Sequence, residues 1–203
     1  MALFIRPERK LIWAPIREAT LNILGSTGVI IPLGDAQHED ASRTTCTTVG
    51  DQQVVFTYSE AITAFDIPPT FEGPGYIPII STNGTDEEGD TPDVAFWTHG
   101  NGTTDTAFSV GFWIYAGTIS AAQYLLAKDN TGANREWGYY LGSGRVPGLT
   151  LWDASVPISC GRDANAAFSA NTWTHLFFTY AGTGGATAAN GITFYKNGAV
   201  DAS

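Results

Sequence analysis

The sequence predicts an all-β protein, an antiparallel two-sheet sandwich preceded by an extended N-terminal arm. Three observations carry that reading. The 203 residues hold 23 Gly, 25 Thr, 25 aromatic residues and 10 Pro, while the good helix formers Lys, Glu, Gln and Met are scarce. The apolar runs are short, aromatic and β-branched, and Gly, Asn, Asp and Pro clusters separate them. A chain that is 43% hydrophobic and 15% charged can bury one good core, so one domain, or one domain with an extension, is expected.

Residues 1–50 read as the arm. Phe4, Ile5, Ile12, Trp13 and Ile16 are apolar, but Pro7, Pro15 and Pro32 cut the segment into pieces without regular periodicity. Such an arm suits binding to a partner surface; packing on its own domain is the alternative. Residues 51–203 read as the sandwich. Val54–Tyr58 and Tyr76–Ser81 are the first strands, and Thr82–Asp93 is an acidic loop carrying Asp86, Glu87, Glu88, Asp90 and Asp93. Asp93–Thr98 reads as a further strand. Phe108–Ala116 alternates Phe108, Val110, Phe112 and Ile114 on one face with Trp113 and Tyr115 on the other, the pattern of a central strand. Tyr124–Lys128, Trp137–Leu141, Leu149–Asp153, Trp173–Tyr180 and Ile192–Lys196 follow. Asn197-Gly198 after the last run predicts a type I′ hairpin, because both central positions of that turn need positive φ.

The net charge of −10 is unevenly placed. Residues 1–43 carry five basic and five acidic side chains, and residues 128–203 again five and five. The excess therefore lies in 44–127, which has no Lys or Arg. A chain with this acidic middle lacks a basic footprint for nucleic acid and is disfavoured on anionic membranes. No run of 18 apolar residues predicts a membrane span. Arg6, Glu8, Arg9 and Lys10 stand where the apolar core of a secretory signal would begin, so no signal peptide is expected. Cys46 and Cys160 are read as free thiols, and the sequons at Asn83 and Asn101 as turns.

Residues 94–203 resemble the laminin-G-like, or concanavalin-A-like, jelly-roll family. The resemblance lies in Ala107-Phe108-Ser109-Val110-Gly111-Phe112-Trp113-Ile114, Leu125-Leu126-Ala127-Lys128, Trp137-Gly138-Tyr139-Tyr140-Leu141, Asn171-Thr172-Trp173-Thr174-His175-Leu176 and Ile192-Thr193-Phe194-Tyr195-Lys196-Asn197-Gly198, in the family's order. It implies a two-sheet antiparallel jelly roll. The acidic region 53–93 replaces the family's opening strand. The closing strand that usually follows the Asn-Gly hairpin is absent, so residues 1–90, a neighbouring copy or further sequence would complete that edge. The segments Thr91–Trp97 and Asp129–Trp137 resemble jelly-roll modules of tailed-phage virion proteins.

Catalysis is not expected. A glycosidase needs two carboxylates flanking the scissile bond, and the Glu-x-Asp-x-x-Glu pattern of concanavalin-like hydrolases does not occur. His38, His99 and His175 show no metal or triad spacing. No cofactor is expected; Asp105, Asp129 and Asn130 are the candidates for Ca²⁺ at a sandwich rim, a resemblance-based reading, and the acidic run 86–90 lacks EF-hand spacing. Tyr115, Trp137, Tyr140 and Trp152 are the candidates for glycan contact by alternation, core packing being the competing explanation. The resulting expectation is a virion structural protein made in the host cytoplasm. In the first reading it is a capsid decoration or cement protein that binds the major capsid protein, other virion proteins and its own copies as a homo-oligomer, through the arm and a sandwich edge. The alternative is a glycan- or receptor-binding module of a tail fibre or secreted adhesin, contacting a host-surface glycan.

Overall fold

The computed structural model describes residues 28–29, 42, 44–50, 53–59, 63–67, 77–81, 88–100, 104–129, 135–153 and 158–201, with backbone alone at 63–67, 77–81 and 158. The chain forms two compact units, Met1–Pro92 and Asp93–Ser203. No described helix is long and apolar enough to cross a membrane.

In the first unit, β1 (Thr45–Thr47), β2 (Val55–Tyr58) and β5 (Gly89–Asp90) make a three-stranded antiparallel sheet in the order β1-β2-β5. Strand β2 alternates as its sequence requires: Phe56 and Tyr58 are buried, Val55 and Thr57 exposed. Cys46 sits opposite Phe56 and is buried, and neither it nor Cys160 of the second unit is in a disulfide. β3 (Thr63–Ile67) pairs antiparallel with β4 (Ile77–Ser81). Within the predicted acidic loop lies strand β5, where Asp90 is exposed, as is Glu88 just before it.

The second unit is a two-sheet antiparallel sandwich, the fold class the sequence predicts. Strands β6 (Phe108–Tyr115), β11 (Trp173–Tyr180), β12 (Ile192–Lys196) and β13 (Ala199–Asp201) form one antiparallel sheet in the order β13-β12-β11-β6. The other runs β10-β9-β8-β7, from β7 (Gln123–Lys128), β8 (Trp137–Gly142), β9 (Val146–Asp153) and β10 (Ile158–Asp163). Their inner faces meet in aromatic contacts: Tyr139 lies 4.7 Å from Phe178 and 5.4 Å from Phe112, and Phe108 lies 5.2 Å from Trp137. Leu141, Leu149, Leu176, Ile192 and Phe194 complete a core of almost fully buried side chains. Period-2 patterning produces this layer: in β11, Thr174, Leu176, Phe178 and Tyr180 point inward while Trp173, His175 and Phe177 point out. The Asn197-Gly198 turn has the predicted positive φ at both positions, 50° and 79°.

Three expectations need correction. Asp93–Thr98 is not a strand; Ala95–Trp97 is a 3₁₀ turn, with the Trp97 N–H bonded to the Val94 carbonyl. The turn lets the Trp97 carbonyl accept the Trp137 indole N–H at 2.9 Å. Strand β6 is not central: among the described residues it is the last strand of its sheet, and its second apolar face is exposed. Strand β10 has no counterpart among the expected strands, because Ser159, Cys160 and Gly161 give it little hydrophobic signal.

Candidate functional site

Outward residues of the β7–β10 sheet build the candidate site. Register places Tyr124, Tyr140, Gly148 and Asp163 in one row across the four strands, and Ala127, Gly138, Thr150 and Gly161 in the next. The second row is a trough of small residues, and large rings lie down into it. A Cβ on Gly138 would stand 2.5 Å from Tyr124 Cε1 and 3.0 Å from Trp152 Cη2, so the absence of a side chain there lets both rings rest on the sheet. Gly148 does the same for Tyr140. A bulge between Tyr124 and Leu126 breaks the alternation of β7 and leaves Tyr124 52% exposed. Tyr124 lies 5.9 Å from Tyr140 and 6.4 Å from Trp152, so the three rings form one platform.

Polar groups border that platform. The Tyr140 hydroxyl donates to Asp163 Oδ1 at 2.6 Å. Burial, reinforced by that carboxylate, pushes the Tyr140 phenol up to about 12. The Arg135 guanidinium lies 4.8 Å over the Trp152 ring and forms a two-point pair with Asp129, at 2.7 and 3.0 Å. A second network ties the sheet to the loop before β6. Lys128 Nζ meets Glu136 at 2.5 Å, Asp93 at 3.2 Å and the Thr98 hydroxyl at 2.5 Å. Burial opposes the Lys128 charge, but the hydrogen bonds and charges of Glu136 and Asp93 outweigh it and raise its pKa. The His99 ring stacks on Phe108 at 4.1 Å, and its burial lowers its pKa.

The other sheet's outer face is aromatic too, yet different in chemistry. Trp113 packs on His175 at 5.3 Å, Tyr115 on Trp173 at 5.6 Å and Phe177 on Tyr195 at 5.6 Å. Its outward positions carry no carboxylate, Lys or Arg.

The four aromatic candidates therefore divide. Tyr140 and Trp152 join on the platform through Tyr124, which the sequence reading missed because the bulge hides its orientation. Tyr115 lies on the opposite sheet, 52% exposed. Trp137 is corrected: it is 2% exposed, faces the core and offers no ligand surface. Two of the three calcium candidates are described, and each is engaged with a different side chain. Asp105 accepts the Tyr180 hydroxyl and Asp129 is paired with Arg135, while Asn130 lies outside the described residues. Among the described residues no group of three or more His, Cys, Asp or Glu is placed to hold a metal ion. The arm residues Phe4, Ile5, Ile12, Trp13 and Ile16 also lie outside the described residues.

No curated protein and no solved structure matches the chain. A family model does match, over residues 84–203 and so over more than half the sequence, and it covers the two sheets just described. The chain belongs to the concanavalin A-like lectin/glucanases superfamily, as a laminin-G-type member.

Proposed function

We propose that this chain is a non-catalytic glycan-binding module displayed on a phage virion. The observation that carries the reading is the Tyr124–Tyr140–Trp152 platform with Asp163, Asp129 and Arg135 along its border. A pyranose presents an apolar C–H face that stacks on an aromatic ring and a rim of hydroxyls that need donors and acceptors. The platform offers both. The aromatic face of the other sheet offers rings without charged partners, a poorer match for a hydroxyl-rich ligand.

The non-catalytic part rests on how the carboxylates are engaged. Asp163 serves Tyr140, Glu136 serves Lys128, Asp129 serves Arg135 and Asp105 serves Tyr180. Hydrolysis needs an acid and a base facing one bond, and these carboxylates hold their own neighbours instead. The virion setting rests on the resemblance of Thr91–Trp97 and Asp129–Trp137 to phage jelly-roll modules. A capsid-cement role would rest on residues 1–50, whereas glycan binding needs only the platform.

A glycan array probed with the full chain, followed by calorimetric titration of any hit, tests the reading. Binding that is lost on Tyr124→Ala and kept on Tyr115→Ala supports it. An array without hits, or a hit indifferent to Tyr124 and Trp152, overturns it.

A further inference from the structure

The outer face of the β6/β11/β12/β13 sheet has no role in the glycan platform, which lies on the opposite sheet. Its outward positions are Ser109, Gly111, Trp113 and Tyr115 on β6, then Trp173, His175, Phe177 and Thr179 on β11. Thr193 and Tyr195 follow on β12, and Val200 on β13. Trp113 is 54% and Val200 59% exposed. In a chain with 20 acidic and 10 basic residues, these eleven positions include none of either kind. A contiguous aromatic surface without charge has the composition of an interface centre, where charged residues are depleted and Trp, Tyr and Phe enriched.

We propose that this face docks a second copy of the same chain about a two-fold axis. Two features select that occupant. The first is charge. Each copy carries −10, so two copies repel wherever their acidic surfaces approach. This face lets them meet without bringing any of its own charges together, and it offers an oppositely charged partner nothing to pair with. The second is relief. The Phe177 ring lies over Gly111, where a Cβ would stand 2.5 Å from Phe177 Cδ2, and with Tyr195 beside it makes a floor lower than the exposed rings of β6. Trp113 and Tyr115 stand on the β6 side of that floor. A two-fold axis lays the Trp113–Tyr115 ridge of each copy over the Phe177–Tyr195 floor of the other, so one patch supplies both halves of the contact.

The area fixes the strength. Aromatic side chains of ~150–250 Å² each, with Trp113, Tyr115 and Val200 about half exposed and the other rings mostly buried, give a total burial on the order of 1,000 Å², at the low end for a specific contact. The dimer is therefore weak and concentration-dependent. Added salt strengthens it by screening the mutual repulsion of the two acidic bodies.

Sedimentation equilibrium of the full chain across a wide concentration range, at low and high salt, tests the proposal. The expected result is a reversible monomer–dimer equilibrium that shifts toward dimer with salt. Trp113→Glu weakens association by about 30-fold or more, since it removes a ridge ring and presses a carboxylate onto the apolar floor of the other copy. Tyr115→Lys, read in parallel with circular dichroism of both variants, keeps the test decisive should Trp113→Glu fail to fold. Tyr124→Glu, on the opposite sheet, leaves association unchanged. A chain that stays monomeric at every concentration overturns the proposal in favour of a different partner for this face. A dimer that neither β6 substitution weakens, or that salt dissolves, overturns it as well.

Discussion

The Tyr140 hydroxyl of β8 and the Asp163 carboxylate of β10 meet at 2.6 Å over Gly148 of the intervening β9. The bond holds the Tyr140 ring against the sheet and aims a carboxylate at the platform border. It also stabilises the protonated phenol. The folded pKa, about 12, lies above the ordinary value of 10, so the folded state holds the proton more tightly than the unfolded chain. The stability contributed is complete below pH 10 and is lost as pH rises toward 12. Burial pushes Tyr139 and Tyr180 in the same direction, Tyr180 with the help of Asp105. Denaturant midpoints across pH should therefore stay level through neutral pH and fall in the alkaline range. Tyr140→Phe should flatten part of that fall, and phenolate absorbance reads the same titration directly.

Gly138 and Gly148 should respond differently to alanine. At Gly138 the added Cβ meets the edge of Tyr124, a half-exposed ring on the terminal strand of its sheet that can lift into solvent. Gly138→Ala should cost about 1 kcal/mol of stability at most while tilting the platform and weakening glycan affinity. At Gly148 the Cβ collides with Tyr140 and Asp163, which hold each other. Gly148→Ala should cost ~1–3 kcal/mol, the range for overpacking a closed site. Thermal melts of the two variants, with titration against the same glycan, separate the effects.

Trp137 and Trp152 lie on the same sheet and face opposite ways. Trp137 contributes buried ring area and the indole bond to the Trp97 carbonyl. Trp137→Phe should cost roughly 2–4 kcal/mol from the lost volume and the unmatched carbonyl, with ligand binding retained in the folded fraction. Trp152→Ala should leave most of the stability intact and reduce binding, because Trp152 rests on Gly138 and under Arg135 rather than in the core. The opposite assignment of the two phenotypes would refute the placement of the site.

The sequence shows the sandwich more clearly than the platform, for reasons these residues illustrate. Alternation in Phe108–Tyr115 and Trp173–Tyr180 exposes two strands at once, and Asn197-Gly198 exposes a hairpin, because each signal is local. Which face of a strand is the core is not local. Trp137 and Trp152 carry the same alternation signal, and only the partner sheet decides that the first is buried. Asp93–Thr98 keeps a strand-like apolar rhythm around a 3₁₀ turn because its contacts are distant in sequence, the Trp97 carbonyl with the Trp137 indole and Asp93 and Thr98 with Lys128. Tyr124 is hidden by a bulge, and Gly138 and Gly148 read as weak points in strands until the rings lying over them are seen.

Strand β13 should depend on a single buried carboxylate. Asp201, the last residue of β13, is nearly buried, lies 3.1 Å from Lys196 Nζ and accepts the Ala166 backbone N–H at 3.4 Å. Lys196 in turn donates to the Ala166 carbonyl at 2.8 Å, so the pair fastens β12, β13 and the loop after β10 together. The lysine is not deeply buried, and water screens part of the attraction. Asp201→Asn keeps the shape and one acceptor, and should cost about 1 kcal/mol. Asp201→Ala leaves the Lys196 ammonium without its partner and should cost ~2–3 kcal/mol. Since β13 holds only three paired residues, its loss should appear as local opening before global unfolding. Hydrogen exchange should then show Phe194 to Val200 losing protection in Asp201→Ala while the Leu176–Tyr180 amides of β11 stay protected. Uniform loss across both strands would mean that the carboxylate supports the whole sheet rather than its edge.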